Sequence, residues 1–221
     1  MHSLRSYGCS FIYGTDLQDN VDNPHLPSQY TWPALLAQHA QLEYVCNARG
    51  GSGNLHILEK LLRDVHKNPQ DFYIIGWTWI DRFDYTDTKF DQNDHWYTLT
   101  PTNTSTVAKT YYKELHSEVR DKFASLTYIN TAIDALNTAG SSYIMTCMDN
   151  LIFDNQWNAP DSTKYLQQRI VPHIMTFAGD TFLNFAKSNN HPISTTLHPL
   201  EKAHQQAEVL MRPVFNESRN K

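Results

Sequence analysis

The feature that most constrains the fold is a nearly continuous apolar stretch, DFYIIGWTWI, at residues 71–80. A strand with apolar side chains on both faces has to be covered on both, as in the parallel sheets of α/β proteins. We interpret three further apolar stretches as strands: one ends near Tyr7, one begins at residue 42, and one covers residues 141–149. The sequence therefore predicts a central parallel sheet.

Helical patterns separate these strands. The clearest, at residues 54–68, repeats leucine on one face at helical spacing. At residues 30–41, Thr31 is the expected N-cap and Pro33 lies in the first turn. Alternating strands and helices favour a three-layer α/β/α sandwich of flavodoxin-like type. The other predicted helices are residues 105–140 (two helices or one bent helix), 161–188 (one or two) and 198–215, with Pro199 at the first position.

Length and composition limit the possible functions. The 221 residues suit one domain, residues 1–221, and 40% are hydrophobic, enough for a substantial core. A net charge of −5 without a basic cluster argues against nucleic-acid binding. We expect no signal peptide and no membrane span, hence a soluble protein of the cytoplasm or of a virion. The three cysteines form no metal-binding spacing and indicate reduced thiols. No metal or organic cofactor is expected, because the chemistry considered below needs none.

Four stretches should lie near the carboxyl ends of the strands, where ligands bind in parallel α/β sheets. Ser10 offers a hydroxyl, and His198 an imidazole that can take its proton. The glycine-rich loop and Thr78 offer hydrogen-bond donors for a developing oxyanion. Together these groups indicate acyl transfer. The stretches are GCSF (8–11), NARGGSGN (47–54), GWTWIDR (76–82) and LHPLEKAH (197–204).

The order of these stretches resembles the SGNH, or GDSL-type, hydrolase family of esterases and lipases. Gly8-Cys9-Ser10-Phe11 matches the family's first block, which implies that Ser10 is the nucleophile. The sequence WPALLAQ from Trp32 resembles the helix that follows. The resemblance implies the SGNH fold over nearly the whole chain, with an expanded helical and loop region at about residues 80–140.

The second block of the family begins here at Asn47. Its oxyanion glycine matches Gly51, with Gly53 as the alternative, and Asn54 follows. In the last block, His198 matches the catalytic base, and Pro199 follows it. His204, six residues after His198, is either a functional partner or a buried packing residue. We also expect His198, at the start of the last helix, to be kept neutral by the helix dipole.

The chain departs from the family pattern at two positions. Thr78 stands where the family has an asparagine that donates to the oxyanion. Thr195 stands where the family's aspartate precedes the histidine by three residues. A threonine hydroxyl could orient His198 but could not stabilise an imidazolium as a carboxylate does. The resemblance therefore leaves open a Ser–His dyad, or a triad completed by Asp180 or another acid.

Other interpretations of single motifs are weaker. GGSGN lacks the spacing of a phosphate-binding loop, and the acidic stretch at residues 81–95 lacks the order of an EF-hand. Residues 81–104 are expected to be an irregular surface excursion. Within it, Arg82 either tethers the loop through Asp84, which we favour, or meets an acidic substrate. Three tryptophans belong either to a pocket or to the core: Trp77, Trp79 and Trp96.

The sequence thus predicts a serine esterase acting on a small acyl ester such as an acetyl ester, carried by a small molecule or a glycan. The alternative is a catalytically weak or inactive protein of the same fold that binds glycans or builds a virion. The resemblance extends to SGNH-like proteins of phages. The oligomeric state stays open.

Overall fold

The computed structural model describes residues 3–86, 95–150 and 160–219. The strands are β1 (Ser3–Tyr7), β2 (Glu43–Cys46), β3 (Phe72–Trp77), β4 (Phe83–Thr86), β5 (Trp96–Leu99), β6 (Tyr143–Cys147) and β7 (Ile174–Met175). The helices are α1 (Ser10–Tyr13), α2 (Gln18–Asp22), α3 (Trp32–His39), α4 (Asn54–Val65), α5 (Thr106–Glu114), α6 (Glu118–Ala139), α7 (Asp161–Ile170), α8 (Phe182–Ser188) and α9 (Glu201–Arg219). None of these helices is both long and apolar enough to cross a membrane.

Five strands form a parallel sheet in the order β2-β1-β3-β6-β7. This is the flavodoxin-like order, in which the connections diverge between β1 and β3. Gly8 directly follows the carboxyl end of β1, and Thr78 directly follows that of β3. The predicted parallel α/β/α sandwich is confirmed.

The apolar character of β3 follows from its central place in the sheet. Phe72 and Ile74 pack into the core on one face, and Tyr73 and Ile75 pack into the core on the other. Helices α3, α8 and α9 cover the first face, and α4, α6 and α7 cover the second. Every side chain of β3 is therefore buried, as its sequence predicts.

The expectation of an irregular excursion at residues 81–104 was wrong where the structure describes this stretch. Strands β4 and β5 pair antiparallel there, with Phe83 opposite Leu99. One face of this hairpin packs on Ala108 and Tyr111 of α5 in a small separate core. Residues 87–94, which hold most of the acidic stretch considered for calcium, lie outside the described residues.

The stretch 105–140 is two helices, one of the two predicted alternatives, and each is capped by a serine side chain. Two other helical predictions change in detail. The stretch 161–188 contains strand β7 between its two helices. The last helix begins at Glu201, so Pro199 is not its first residue. Pro199 instead forms an isolated bridge with Ile193, which leaves His198 in the loop before α9.

Candidate active site

Ser10 lies in a turn that β1 enters at its carboxyl end. A Cβ atom at Gly8 would lie 2.5 Å from Ile12 Cγ1 and 3.0 Å from the carbonyl oxygen of Gly76, so only glycine fits. The chain then forms the four-residue helix α1, which Gly14 ends with a left-handed φ of 83°. Ser10 is the first residue of α1 and is 8% exposed.

The loop before α9 brings His198 to this turn. The Nε2 atom of His198 lies 2.8 Å from Ser10 Oγ, although the residues are 188 positions apart. The Phe11 ring meets the imidazole edge-on, with ring centroids 5.2 Å apart. The preceding Leu197 has a φ of 68°, a conformation that is strained for leucine and often found at functional sites. The structure therefore brings the predicted nucleophile and base into hydrogen-bond contact.

A third residue, Asp16, completes the arrangement. Its Oδ2 atom lies 2.8 Å from Nδ1 of His198. Asp16 follows Ser10 by only six residues, and its φ of 72° turns the chain back toward the histidine. Aspartate is one of the residues that adopt this conformation at little cost. Sequence reasoning missed Asp16, because only Gly14 two residues earlier signals so sharp a turn.

The loop residues Ser194 and Thr196 hold the Asp16 carboxylate in place. Ser194 Oγ donates to Asp16 Oδ2 at 2.6 Å, Thr196 Oγ1 donates to the same oxygen, and Thr196 Oγ1 also lies 2.9 Å from His198 Nδ1. Burial alone would raise the pKa of Asp16, but hydrogen bonds from Ser194, Thr196 and His198 lower it to about 2. Asp16 is therefore ionised at every pH at which a neutral histidine could act as a base.

The two acid-position candidates named from the sequence do not fill this role. Thr195 is exposed and forms no hydrogen bond with His198 among the described residues, because the turn directs its two neighbours inward instead. Asp180 pairs with Phe177 in a short turn between β7 and α8. Among the described residues it has no hydrogen bond with His198 either.

The glycine-rich loop after β2 lies beside the Ser10 turn. The N–H of Arg49 donates to the Gly8 carbonyl oxygen at 3.1 Å. Gly51 has a φ of 80°, and within the described ranges its N–H and that of Ser10 have no hydrogen-bond partner. The N–H of Gly53, by contrast, donates to Asp84 Oδ1 at 3.0 Å. Among the described residues, Gly51 therefore keeps an N–H without a partner, and Gly53 does not.

Thr78, at the end of β3, is held through its backbone by Asn54. The Thr78 N–H donates to Asn54 Oδ1 at 2.8 Å, and Asn54 Nδ2 donates to the Thr78 carbonyl oxygen at 3.2 Å and to Ser125 Oγ at 3.1 Å. The Thr78 hydroxyl is buried and has no partner among the described residues. An unsatisfied buried hydroxyl carries a desolvation cost. A hydrogen bond from this hydroxyl to an oxygen atom of a bound ligand would remove that cost.

Arg82 tethers the glycine-rich loop, but through a different residue from the one expected. It donates to the Ser52 carbonyl oxygen at 2.9 Å, whereas Asp84 binds backbone N–H groups. The Arg82 guanidinium also lies 4.9 Å from the centroid of the Trp79 ring, which packs against Phe11 at 5.5 Å. Trp79 is therefore beside the site.

The other two tryptophans have different surroundings. Trp77 is completely buried in the core between the sheet and α4, α6 and α7. Trp96 stacks on His56, with ring centroids 5.5 Å apart.

His204 is a buried packing residue. Its Nδ1 accepts a hydrogen bond from the Trp32 N–H at 3.1 Å, at the start of α3, and its ring packs on Phe182. Burial, with a smaller contribution from the charge of His198, lowers the pKa of His204 to about 3.

The dipole argument for His198 does not hold, because α9 begins at Glu201 and not beside the histidine. In the described ranges, no three His, Cys, Asp or Glu side chains gather as they would around a metal ion.

No family model matches the chain, and no curated protein matches it in sequence. Solved structures do match it. A member of the lipolytic protein G-D-S-L family from Veillonella parvula aligns with 98% of this chain and 99% of its own, at a TM-score of 0.54 and 9% identity. The chain has the SGNH hydrolase fold.

Two further structures with this fold are similar to the chain. The psychrotrophic esterase EstA from Pseudoalteromonas sp. aligns with 99% of this chain and 100% of its own, with a TM-score of 0.51 and 12% identity. A carbohydrate esterase described as having divergent catalytic and non-catalytic binding functions aligns with 98% of this chain and 68% of its own, with a TM-score of 0.50 and 13% identity. At these identities the SGNH likeness concerns the fold, and any activity has to be argued from the site.

Proposed function

We propose that this protein is a serine esterase in which Ser10 is the nucleophile, His198 the general base and Asp16 the acid of the triad. One observation carries the proposal: an unbroken hydrogen-bonded chain from Ser10 Oγ through both nitrogens of His198 to Asp16, with both contacts 2.8 Å long. A serine hydroxyl is a weak nucleophile, and a base that is itself held by a third group is the arrangement that activates it.

The reaction follows from the position of these atoms. Ser10 Oγ attacks the ester carbonyl carbon while His198 Nε2 takes the hydroxyl proton. The resulting imidazolium is stabilised by the ionised Asp16. The C–O bond to the alcohol then breaks, and His198 returns the proton to the departing oxygen. Water, activated by His198 in the same way, hydrolyses the acyl-enzyme and releases the carboxylic acid.

Three donors would stabilise the negative charge that develops on the carbonyl oxygen. Two are the backbone N–H groups of Ser10 and Gly51, which have no partner among the described residues. The third is the hydroxyl of Thr78, which is buried and likewise has no hydrogen-bond partner among the described residues. Because the Thr78 side chain is fully buried, this third contact requires a small movement at the end of β3 when substrate binds. Fixed donors of this kind supply much of the rate enhancement in acyl transfer.

The proposed substrate is a small acyl ester, such as an acetyl group, on a carbohydrate. One aromatic side chain beside the site supports this choice: Trp79 is only partly buried, and it packs on the buried Phe11 that directly follows the nucleophile. Aromatic rings are well suited to sugars, which present an apolar face and a polar edge. The similarity to a carbohydrate esterase is consistent with this substrate class.

Turnover of p-nitrophenyl esters tests the proposal. We expect the purified protein to hydrolyse p-nitrophenyl acetate faster than longer-chain esters, and to release acetate from an acetylated oligosaccharide. A fluorophosphonate probe should label the wild type and fail to label Ser10→Ala. If the folded wild type neither turns over these esters nor reacts with the probe, the esterase proposal is wrong.

A second candidate function is glycan binding without efficient catalysis. The buried threonine at position 78, in place of the amide of the family pattern, favours it. In that case the wild type would bind an acetylated oligosaccharide in calorimetry, with unchanged affinity in Ser10→Ala, and would not react with the probe. The intact hydrogen-bonded triad favours the enzyme, since binding a glycan does not require it.

A further inference from the structure

The glycine-rich loop is held by the β4–β5 hairpin through one buried carboxylate. Asp84 Oδ1 accepts the N–H of Gly53 at 3.0 Å, and Asp84 Oδ2 accepts the N–H of His56 at 2.9 Å. Thr98, opposite Asp84 in the hairpin, donates its hydroxyl to Oδ1 at 2.6 Å. The carboxylate thus caps the start of α4 from a separate element, a stabilising place for a negative charge.

The fit around this carboxylate is tight. Asp84 is 6% exposed, and a Cβ atom at Gly53 would lie 2.5 Å from its Oδ2 and 2.7 Å from its Oδ1. Burial raises the pKa of Asp84, while the bonds from Thr98, His56 and Gly53 act in the opposite direction. A glycine at position 53 is therefore needed for the approach of the carboxylate, and not for backbone freedom.

Further contacts tie the same loop to the same hairpin. Arg82, just before β4, donates to the Ser52 carbonyl oxygen at 2.9 Å. Ser52 Oγ lies 3.2 Å from Nδ1 of His56, and Trp96 of β5 stacks on the His56 ring. Arg49 donates to the Trp96 carbonyl oxygen at 2.9 Å. The loop that carries Gly51 is therefore fixed on both sides of that glycine, at Arg49 and at Ser52.

We propose that Asp84 is a positioning residue that fixes the glycine-rich loop, so that the N–H of Gly51 stays aimed at the reacting carbonyl oxygen. This inference rests on the esterase proposed above. Asp84 acts through the loop and does not touch the reacting atoms. A carboxylate accepts from both N–H groups at once, whereas a carboxamide would turn an NH₂ group toward one of them. Asp84→Asn should therefore loosen the loop while changing the side-chain volume very little.

Two variants disrupt the contact between Asp84 and Gly53, one by changing the carboxylate and the other by changing the glycine. Asp84→Asn removes one of the two acceptors, and Gly53→Ala pushes the carboxylate away by steric contact. Gly50→Ala is the matched control, because its Cβ would have only Thr15 Oγ1 nearby, at 3.9 Å. We expect kcat for p-nitrophenyl acetate to fall about 10–100-fold in both test variants, with KM within about threefold of wild type. In Gly50→Ala, kcat should stay within about twofold.

Amide hydrogen exchange tests the positioning without relying on esterase activity. In Asp84→Asn the amides of Gly53 and His56 should exchange at least about tenfold faster, while those of β1 and β3 keep their protection. Unchanged exchange at both amides, or a rise in KM with kcat preserved, would overturn the positioning role. If the wild type has no esterase activity but exchange responds as expected, the proposed function fails and the control of the loop by Asp84 stands.

Discussion

The two halves of the site are built in different ways. The acid–base half consists of Asp16, His198 and the loop hydroxyls, and its side chains are partly open to solvent, 30% for Asp16 and 13% for His198. The oxyanion half depends on Asn54, Thr78 and Asp84, which are 2%, 0% and 6% exposed. Changes in a partly exposed network cost little folding stability, whereas a buried polar group left unpaired is costly. Substitutions in the first half should therefore lower the rate far more than the stability, and substitutions in the second half that leave a buried partner unpaired should lower both.

The largest expected effect separates the two halves most clearly. In Asp16→Asn the histidine loses the charge that stabilises its protonated form, and kcat for p-nitrophenyl acetate should fall about 10²–10⁴-fold. The free energy of unfolding should change by no more than about 1–2 kcal/mol. Asp22→Asn, which removes the charge of an exposed carboxylate in neighbouring α2, is the matched control and should leave kcat unchanged. A wild-type rate in Asp16→Asn would show that His198 works without this partner.

The same substitution has a pH signature. The folded pKa of Asp16 is about 2, below its unfolded value near 4. Its contribution to stability is therefore complete above about pH 4 and is lost as the pH falls toward 2. Between pH 5 and 8 the acid limb of the rate profile should come from another group. Adding Thr195→Asp to Asp16→Asn should restore no activity, because Thr195 is exposed and has no hydrogen bond with His198 among the described residues.

The contrast between the halves also explains what the sequence can predict. The apolar pattern of β3 predicts the parallel sheet, and Ser10 is predicted just after the first strand, where ligands bind in such a sheet. His198 follows no strand, and its role as the base comes from the resemblance of its stretch to the last block of the SGNH family. Asp16 escapes prediction because its role depends on two left-handed residues, Asp16 itself and Leu197. Such turns leave almost no signal outside glycine.

In the oxyanion half, Gly51 and Thr78 are named from the sequence, but the support that Asp84 gives to the glycine-rich loop escapes prediction for a different reason. The contacts of Asp84 need a hairpin whose strands are only four residues long, too short for alternation to be read with certainty. The choice between Gly51 and Gly53 likewise depends on a contact with this hairpin and not on the local sequence. Prediction thus reached the residues that follow a predicted strand or match a block of the family pattern, and missed Asp16 and Asp84, which are positioned by side-chain contacts between loops.

The next effect concerns the buried hydroxyl of the oxyanion half. Thr78→Val removes the hydroxyl at nearly constant volume, and kcat should fall about 10–100-fold if this group stabilises the transition state. Since the hydroxyl has no partner among the described residues, the free energy of unfolding should stay the same or rise by about 1 kcal/mol. Denaturant unfolding and steady-state kinetics measure the two effects separately. A fall in stability with unchanged kcat would assign Thr78 to packing.

A smaller effect is expected in the acid–base half, where the donors to Asp16 are shared. Ser194→Ala removes one of three hydrogen bonds to the Asp16 carboxylate. It also removes the acceptor of the backbone N–H of His198. Thr196 and His198 remain bonded to Asp16, so kcat should fall about 3–10-fold. The melting temperature should stay within about 2–4 °C of wild type. A loss as large as that of Asp16→Asn would mean that the hydrogen bonds cooperate as a unit.

The smallest effect on rate belongs to the buried histidine below the site. The folded pKa of His204 is about 3 and the unfolded value is near 6.5. Between these pH values, the unfolded chain binds a proton at His204 and the folded chain does not. Stability is therefore complete above about pH 6.5 and falls as the pH drops toward 3, by roughly 2 kcal/mol at pH 5. His204→Asn keeps an acceptor for the Trp32 N–H but does not titrate, so urea unfolding at pH 7 and pH 5 should differ less than in wild type. Its kcat at pH 7 should stay within about twofold, because the histidine contacts a helix start and not the reacting atoms; a large loss of kcat in a stable variant would make His204 part of the acid–base half after all.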